Sequence, residues 1–575
     1  VESTTLKATS ADGSGGIIRA NGRAVNLRGK AVLNASASKA GRKGGHILVG
    51  TDSMGGTNLA RSTTLASGVT LKATGKGTGA GGTIETSAHT LAVGAATISA
   101  GPGGSWLLDP DDLTIDSNAA STINSALNSG TNVTEQTSAA TNNISGTGTS
   151  SAGNGDILLN AALSWNSTAR LILSSYHSIT LNADITVGGA GKLTLTTNNN
   201  IGGTGTGDGT LNFGTSSVRF TGSSLTAAST TSSSPLTIDG HSYTLITSPG
   251  DLQNAVGVSG YYALARPLDM SSISNFTPLT SSGFTGTFNG LGNTISNLVI
   301  NSGAESVGLF GQVSRGGTVR NIGLLQANVT GTSTGIFTAA GGLVGTNNYG
   351  TISDVYATGN VTSASKGTGG LVGRNFGTIS EAYTTGNVTG TSEATGGLVG
   401  MSAGSIRDVY ATGNVTGNSD TGGLVGLNGG TISEAYATGN VVGDNNTGGL
   451  AGRNDDTISG AYATGRVTGS DNNTGGLVGM NFGTISETYA TGGVTGGGGY
   501  NTGGLAGRNY GTISEAYTTG GVTGSGYNIG GLAGQNDGTI SEAYFNTSTS
   551  ETTASIGTGN MSGGKGLTTV QWLTE

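Results

Sequence analysis

The sequence predicts an all-β chain whose C-terminal half is a parallel β-helix, a β-solenoid with about 27 residues per coil. Three observations predict it. A unit best read at Thr368–Tyr383, TGGLVGRNFGTISEAY, recurs eight times. Its period is too short for a propeller blade, which takes four strands in roughly 40 residues or more, and suits one coil of a solenoid. Its apolar residues keep register while Gly, Asn, Thr and Ser, the turn residues, separate them.

The register is carried by four rows. Leu343, Leu371, Leu398, Leu424, Leu450, Leu477, Leu505 and Leu532 lie 28, 27, 26, 26, 27, 28 and 27 residues apart. Ile352, Ile379, Ile406, Ile432, Ile458, Ile485, Ile513 and Ile540 keep step with them. So do Tyr356, Tyr383, Tyr410, Tyr436, Tyr462, Tyr489, Tyr517 and Tyr544, and, in all but the last copy, Val361, Val388, Val415, Val441, Val467, Val494 and Val522. A full unit offers three short β-prone runs, GGLVG, TISEAY and GNVTG, none long enough for a helix. Coils stacked at about 4.8 Å turn each repeated side chain into a ladder. Four residues after the leucine stands such a row: Asn347, Asn375, Asn428, Asn454, Asn481, Asn509 and Asn536, with Ser402 as its exception. At a coil corner these amides can bond one another and satisfy turn backbone, so the row is read as structural.

Strict alternation along Ile379-Ser380-Glu381-Ala382-Tyr383 would bury Glu381, Glu434, Glu487, Glu515 and Glu542 with the isoleucines, at prohibitive desolvation cost. A bend near Ser-Glu is therefore expected, with Ala382, Val409 and Ala435 inside and the carboxylates outside. The tyrosine row then forms either an exposed edge ladder, a candidate binding face, or a packed ladder with wet hydroxyls. The GGLVG…GTISEAYATGNVTG unit resembles the GLUG repeat of large bacterial surface proteins, over about residues 305–545.

Composition supports stacked coils sharing a thin core. Among 575 residues there are 110 Gly, 6 Pro and no Cys, with 5% aromatic and 10% charged residues. One continuous rod on the order of 100 Å long is expected in place of several globular domains. The lack of cysteine excludes disulfides and thiolate metal sites and suits export across a bacterial envelope. No run approaches a membrane span, and the start at Val1 without a signal segment suggests a mature or excised portion of a longer protein. Net charge is −8, yet residues 1–80 carry 11 Lys/Arg against 3 Asp/Glu, leaving −16 for the rest. A basic end meeting an acidic polysaccharide or envelope, and a plain solvated face, both fit.

Residues 1–116 show irregular coils opening at glycine pairs: Gly15-Gly16, Gly44-Gly45, Gly81-Gly82 and Gly103-Gly104. ASASKAGRKGGHILVG, GGTIETSAHTLAV and GGSWLLDPDDLTI resemble the passenger of filamentous haemagglutinin-type exoproteins, over about residues 1–240. That resemblance implies a right-handed parallel β-helix, adhesion, and export through the outer-membrane pore of two-partner secretion as partner. Residues 117–240 read as irregular β-helix with a short helix at Ala120–Leu127, a polar loop to about Gly155, and a joint near Thr226–Pro235. Residues 241–304 resemble the lead-in to GLUG repeats, with a small helix at Asp251–Val256. Residues 546–575 read as a transition tail that loses the register, with more chain expected beyond Glu575.

Chemistry is sparse. His46, His89, His177 and His241 lack metal-ligand spacing and read as surface or loop residues. Asp109, Asp111 and Asp112 could hold calcium but lack a spaced ligand pattern and read as a turn. The recurring acids Asp354, Glu381, Asp408, Glu434, Glu487, Glu515 and Glu542 copy the repeat, whereas a catalytic site breaks symmetry. No enzyme activity, cofactor, metal or nucleic-acid binding is expected. Asn-x-Ser/Thr occurs at Asn132, Asn143, Asn166, Asn275, Asn328, Asn360, Asn387, Asn414 and Asn546, some of it only because the repeat recurs. Two readings stay open: an adhesin at the cell surface or outside it, attaching to glycans, host or abiotic surfaces in biofilm, and a structural fibre built by end-to-end or lateral self-association.

Overall fold

A computed structural model describes residues 1–56, 58–138, 154–199, 207–222, 234–550 and 552–572. Within these the chain divides into two compact units, residues 1–247 with 263–266 and 291–293, and residues 248–262, 267–290 and 294–575. Each is a parallel β-helix. Of the loop expected from about Gly130 to Gly155, residues 139–153 lie outside the described residues, as do Asn143 and residues 226–233 of the joint expected at Thr226–Pro235, while Asn132–Gln136 is a strand and not loop.

In the first unit, glycine pairs precede strands Ile17–Ala20, His46–Val49, Thr83–Ser87 and Ser105–Asp109, which pair in parallel in that order. Asn132–Gln136, Arg170–Ser174, Lys192–Thr196 and Leu236–Ile238 extend the same sheet. Alternation sends one side chain in two inward, so Ile18, Ile47, Ile84, Trp106, Val133, Leu171, Leu193 and Leu236 form one buried file. The expected helix is longer than Ala120–Leu127: α1 spans Ser117–Asn128 because Asp116 caps it, its side chain accepting from the Asn118 and Ala119 amides. Its apolar face is buried through Ile123, Ala126 and Leu127.

The second unit opens with α2, Pro249–Ala255, capped by Ser248. Buried Phe284, Phe288 and Phe310 follow, with ring centroids 5.2 and 5.3 Å apart. The repeat then builds one coil per copy, with four strands where the sequence shows three runs: Gly367–Gly369, Val372–Asn375, Thr378–Thr384 and Val388–Gly390. The GGLVG run is divided because the chain turns at Gly370-Leu371, and the Leu371 amide donates to the Leu398 carbonyl of the next coil at 3.0 Å. Only glycine fits that corner, since a Cβ at Gly370 would strike the Gly397 carbonyl oxygen.

Register is one copy per coil: Val372 pairs with Val399, Ile379 with Ile406, Tyr383 with Tyr410 and Val388 with Val415. Leu371, Ile379, Ala382 and Val388 are at most 1% exposed and form the core. The bend falls on the carboxylate itself. Glu381 has φ +50°, is exposed, and is skipped in a register that pairs Ser380 with Arg407 and Ala382 with Val409. This left-handed kink, an outward bulge at the same place in every coil, shifts the alternation, so Ile379 and Ala382 both point inward. Asp354, Asp408, Glu434, Glu487, Glu515 and Glu542 repeat it, with φ between +47° and +54°. The tail does not leave the stack where its sequence register ends: Ile556–Gly559 pairs with Ala533–Asn536, and Gly564–Leu567 with Ala543–Asn546. Backbone bonds accept a further coil without the repeated side chains.

Candidate functional site

The repeat carries its polar chemistry as files of side chains, one member per coil. Asn347, Asn375, Asn428, Asn454, Asn481, Asn509 and Asn536 are at most 1% exposed. Asn347 Nδ2 donates to Asn375 Oδ1 at 2.8 Å, and Asn428, Asn454, Asn481 and Asn509 do the same to the next asparagine at 2.7–2.8 Å. Asn375 donates to Ser402 Oγ at 3.2 Å, where the amide chain is interrupted. Each amide also serves its own corner, as Asn428 Nδ2 does by donating to the Gly430 carbonyl at 2.8 Å. Sealed from solvent, this file has no surface to offer a ligand.

From Tyr356 through Tyr383, Tyr410, Tyr436, Tyr462 and Tyr489 to Tyr517, the rings stack at 4.7–5.0 Å with planes within 7°. Tyr544 continues the backbone register. All are half-buried, and burial first, then a neighbouring tyrosine, raises the phenols of Tyr383, Tyr410, Tyr436 and Tyr489. Because ring faces cover one another, the row presents only edges and hydroxyls outward. Beside it runs the carboxylate file, interrupted at Gly460. Glu381 is held above its ordinary value, chiefly by the charge of Asp354 one coil away.

Two further ladders escaped sequence reasoning. Asn360, Asn387, Asn414 and Asn440 are exposed, and each Oδ1 accepts the backbone N–H of the equivalent residue in the next coil at 3.0–3.1 Å. In the sequence Asn360, Asn387 and Asn414 show only as sequons, and Asn440, in Asn-Val-Val, does not show even so. In the variable loops, Asn446 donates to Asp420, Asn473 to Asn446, Asn501 to Asn473 and Asn528 to Asn501, at 2.7–2.8 Å. The unequal loop lengths hide that register.

A third surface file flanks the buried asparagines and breaks the symmetry. Tyr349 lies 6.3 Å from Phe376, while Phe482 and Tyr510 stack at 4.8 Å. Arginines cover these rings: Arg453 stands 4.9 Å from the Phe482 centroid, and Arg508 stands 4.3 Å from that of Tyr510. Its signal in the sequence is the position after the asparagine, which varies among aromatic, acidic and small residues while its neighbours repeat.

In the first unit the titratable groups are structural. His89 and His177 do lie in bends between strands, half-buried, and each meets an acid of another coil, with His89 Nδ1 3.1 Å from Asp111 and His177 Nδ1 2.7 Å from Asp156. The Asp109–Asp112 cluster disperses: Asp112 accepts from the Gly155 and Asp156 amides, and Asp109 is buried. Burial, then the charge of Glu85, pushes Asp109 up to about 6. Glu135 is fully buried with neither carboxylate oxygen hydrogen-bonded, and burial pushes it up to about 8. Among the described residues no group of three or more His, Cys, Asp or Glu could hold a metal ion.

The family model of the GLUG motif matches residues 338–362, 391–416 and 443–468. Halomucin of Haloquadratum walsbyi is 36% identical over 176 residues, covering 27% of this chain and 2% of the halomucin chain. A putative immunoglobulin A1 protease from Bacteroides ovatus aligns over 44% of this chain and 75% of its own, at 24% identity and a TM-score of 0.30. At that score the likeness carries no argument about fold or activity. Three stretches of the second unit thus carry the GLUG motif.

Proposed function

We propose that this chain is a segment of a bacterial adhesin, displayed at the cell surface or released from it, that attaches to glycans, host or abiotic surfaces in biofilm. The observation that carries this reading is the register of exposed strand faces over successive coils: identical groups recur about every 4.8 Å, so a repetitive partner meets many weak contacts at once. Export through a two-partner-secretion pore belongs to the same reading, as the N-terminal text resembles passengers of that route. The reading is non-enzymatic, since the recurring acids stand exposed, one to a coil.

Gene deletion, followed by attachment assays and electron microscopy of the cells, tests the proposal. Loss of attachment with an unaltered envelope is the expected result. Unchanged attachment with loss of visible filaments would replace the adhesin by a structural fibre, and growth failure on one polysaccharide would replace it by an enzyme.

A further inference from the structure

Among the described residues the arginine–aromatic file contains one member that neither its own coil nor the next neutralises. Arg453 Nε donates to Asp455 at 2.7 Å, and Arg508 pairs with Asp537 at 3.0 Å. Arg374 occupies the equivalent register position, yet Phe376 stands where Asp455 follows Arg453. Among the described residues Arg374 forms no ion pair, and its Nε is shielded from water without an acceptor. Its guanidinium lies 5.8 Å from the Phe337 ring and 5.7 Å from Phe376. Phe337 and Tyr349 are 69% and 65% exposed, and Ile336 beside them is 71% exposed. Such an apolar surface around an unsatisfied cation is costly in water unless something covers it.

We propose that Arg374, with Phe337, Tyr349 and Phe376, is a docking site for an acidic polysaccharide. The planar guanidinium matches a carboxylate or sulfate with paired N–H donors, while the aromatic faces receive the apolar C–H face of a sugar ring. Charge complementarity selects this occupant. The chain's net charge of −8 opposes polyanions at long range, so recognition at this site is local and rests on the Arg374 guanidinium. The biological use of the site rests on the attachment role proposed above, but the binding itself does not.

The test is biolayer interferometry of the full chain against polygalacturonate, chondroitin sulfate and neutral dextran, with thermal melting as the folding control. At least one acidic polymer should bind and dextran should not, the two acidic probes separating a carboxylate from a sulfate preference. Arg374→Gln should weaken binding by about tenfold or more. Arg453→Gln, whose charge is already paired, should change it less than about twofold. Phe376→Asp recreates the Arg453–Asp455 pairing without removing the arginine, and should abolish binding even if Arg374→Gln fails to fold. Failure of the wild type to bind either acidic polymer overturns the site, as does equal loss in Arg374→Gln and Arg453→Gln. So does sedimentation showing a dimer that Phe376→Asp dissociates. Because the readout is polymer binding by purified protein, it stands or falls independently of the cellular attachment assay.

Discussion

Glu135 shows how much one side chain can oppose the stack around it. Its register partners are Leu108 and Leu173, so it interrupts a buried apolar file, and neither carboxylate oxygen finds a donor. Its folded-state value of about 8 exceeds the ordinary 4.5. The neutral acid is therefore tolerated below the unfolded value, and stability is lost as pH rises through the folded one. Glu135→Gln should leave stability near pH 4 little changed and raise it at pH 9, by on the order of a few kcal/mol, in chemical denaturation at both pH values. Asn375→Ala removes an amide that serves both its own corner and the next coil, and should cost about 1–3 kcal/mol on the same assay. Glu381→Gly has the opposite sign. A left-handed residue with a side chain is strained by about 1 kcal/mol, and Glu381 is also repelled by Asp354, so glycine should be neutral or stabilising by about that amount. Gly460 already occupies this bend in another coil.

At the scale of the strand, two backbone devices set what each coil presents. The bulge at Glu381 and its equivalents allows TISEAY to bury Ile379 and Ala382 while holding carboxylates out. The Gly-Gly corner brings successive coils so close that no side chain fits between them. A Cβ at Gly397 would collide with the Gly423 carbonyl oxygen, so Gly397→Ala should cost more than about 3 kcal/mol or abolish folding, read as loss of the β-sheet circular dichroism. Gly498, with open space around its Cβ position, is the control and should accept alanine at a cost below about 0.5 kcal/mol.

At the scale of the repeat stack, stability is a sum of coils and their interfaces. Deleting residues 424–449 joins Gly423 to Leu450 and removes one copy in register. The shortened chain should fold with unchanged β-sheet signal per residue, because Ser402 then stacks on Asn454 and Tyr410 on Tyr462. Deleting half as many residues at the same place breaks every ladder at that junction, exposing two unmatched coil ends, and should give an aggregating protein by size exclusion.

Much of this architecture was legible in the spacing of a few residues. The Leu, Ile, Tyr and Val rows define one coil per copy, since equal spacing in a stacked chain places equal side chains above one another. The need to keep Glu381 in water located the bend before any coordinates did. Alternation also put Glu135 on the face of Val133, a signal present but unused. What composition and period could not express depends on which atoms approach across coils that are distant in sequence. Ring stacking covers the faces of the tyrosines and withdraws them as a flat platform, and His89 and His177 meet acids that come from other turns. Arg374 differs from Arg453 already in the residue two places on, Phe376 against Asp455, but from Arg508 only through the next coil, which brings Asp537 to Arg508. Ladders are periodic, so they appear in the sequence. An unneutralised cation is a departure from the period, and only the tertiary structure shows whether a partner meets it.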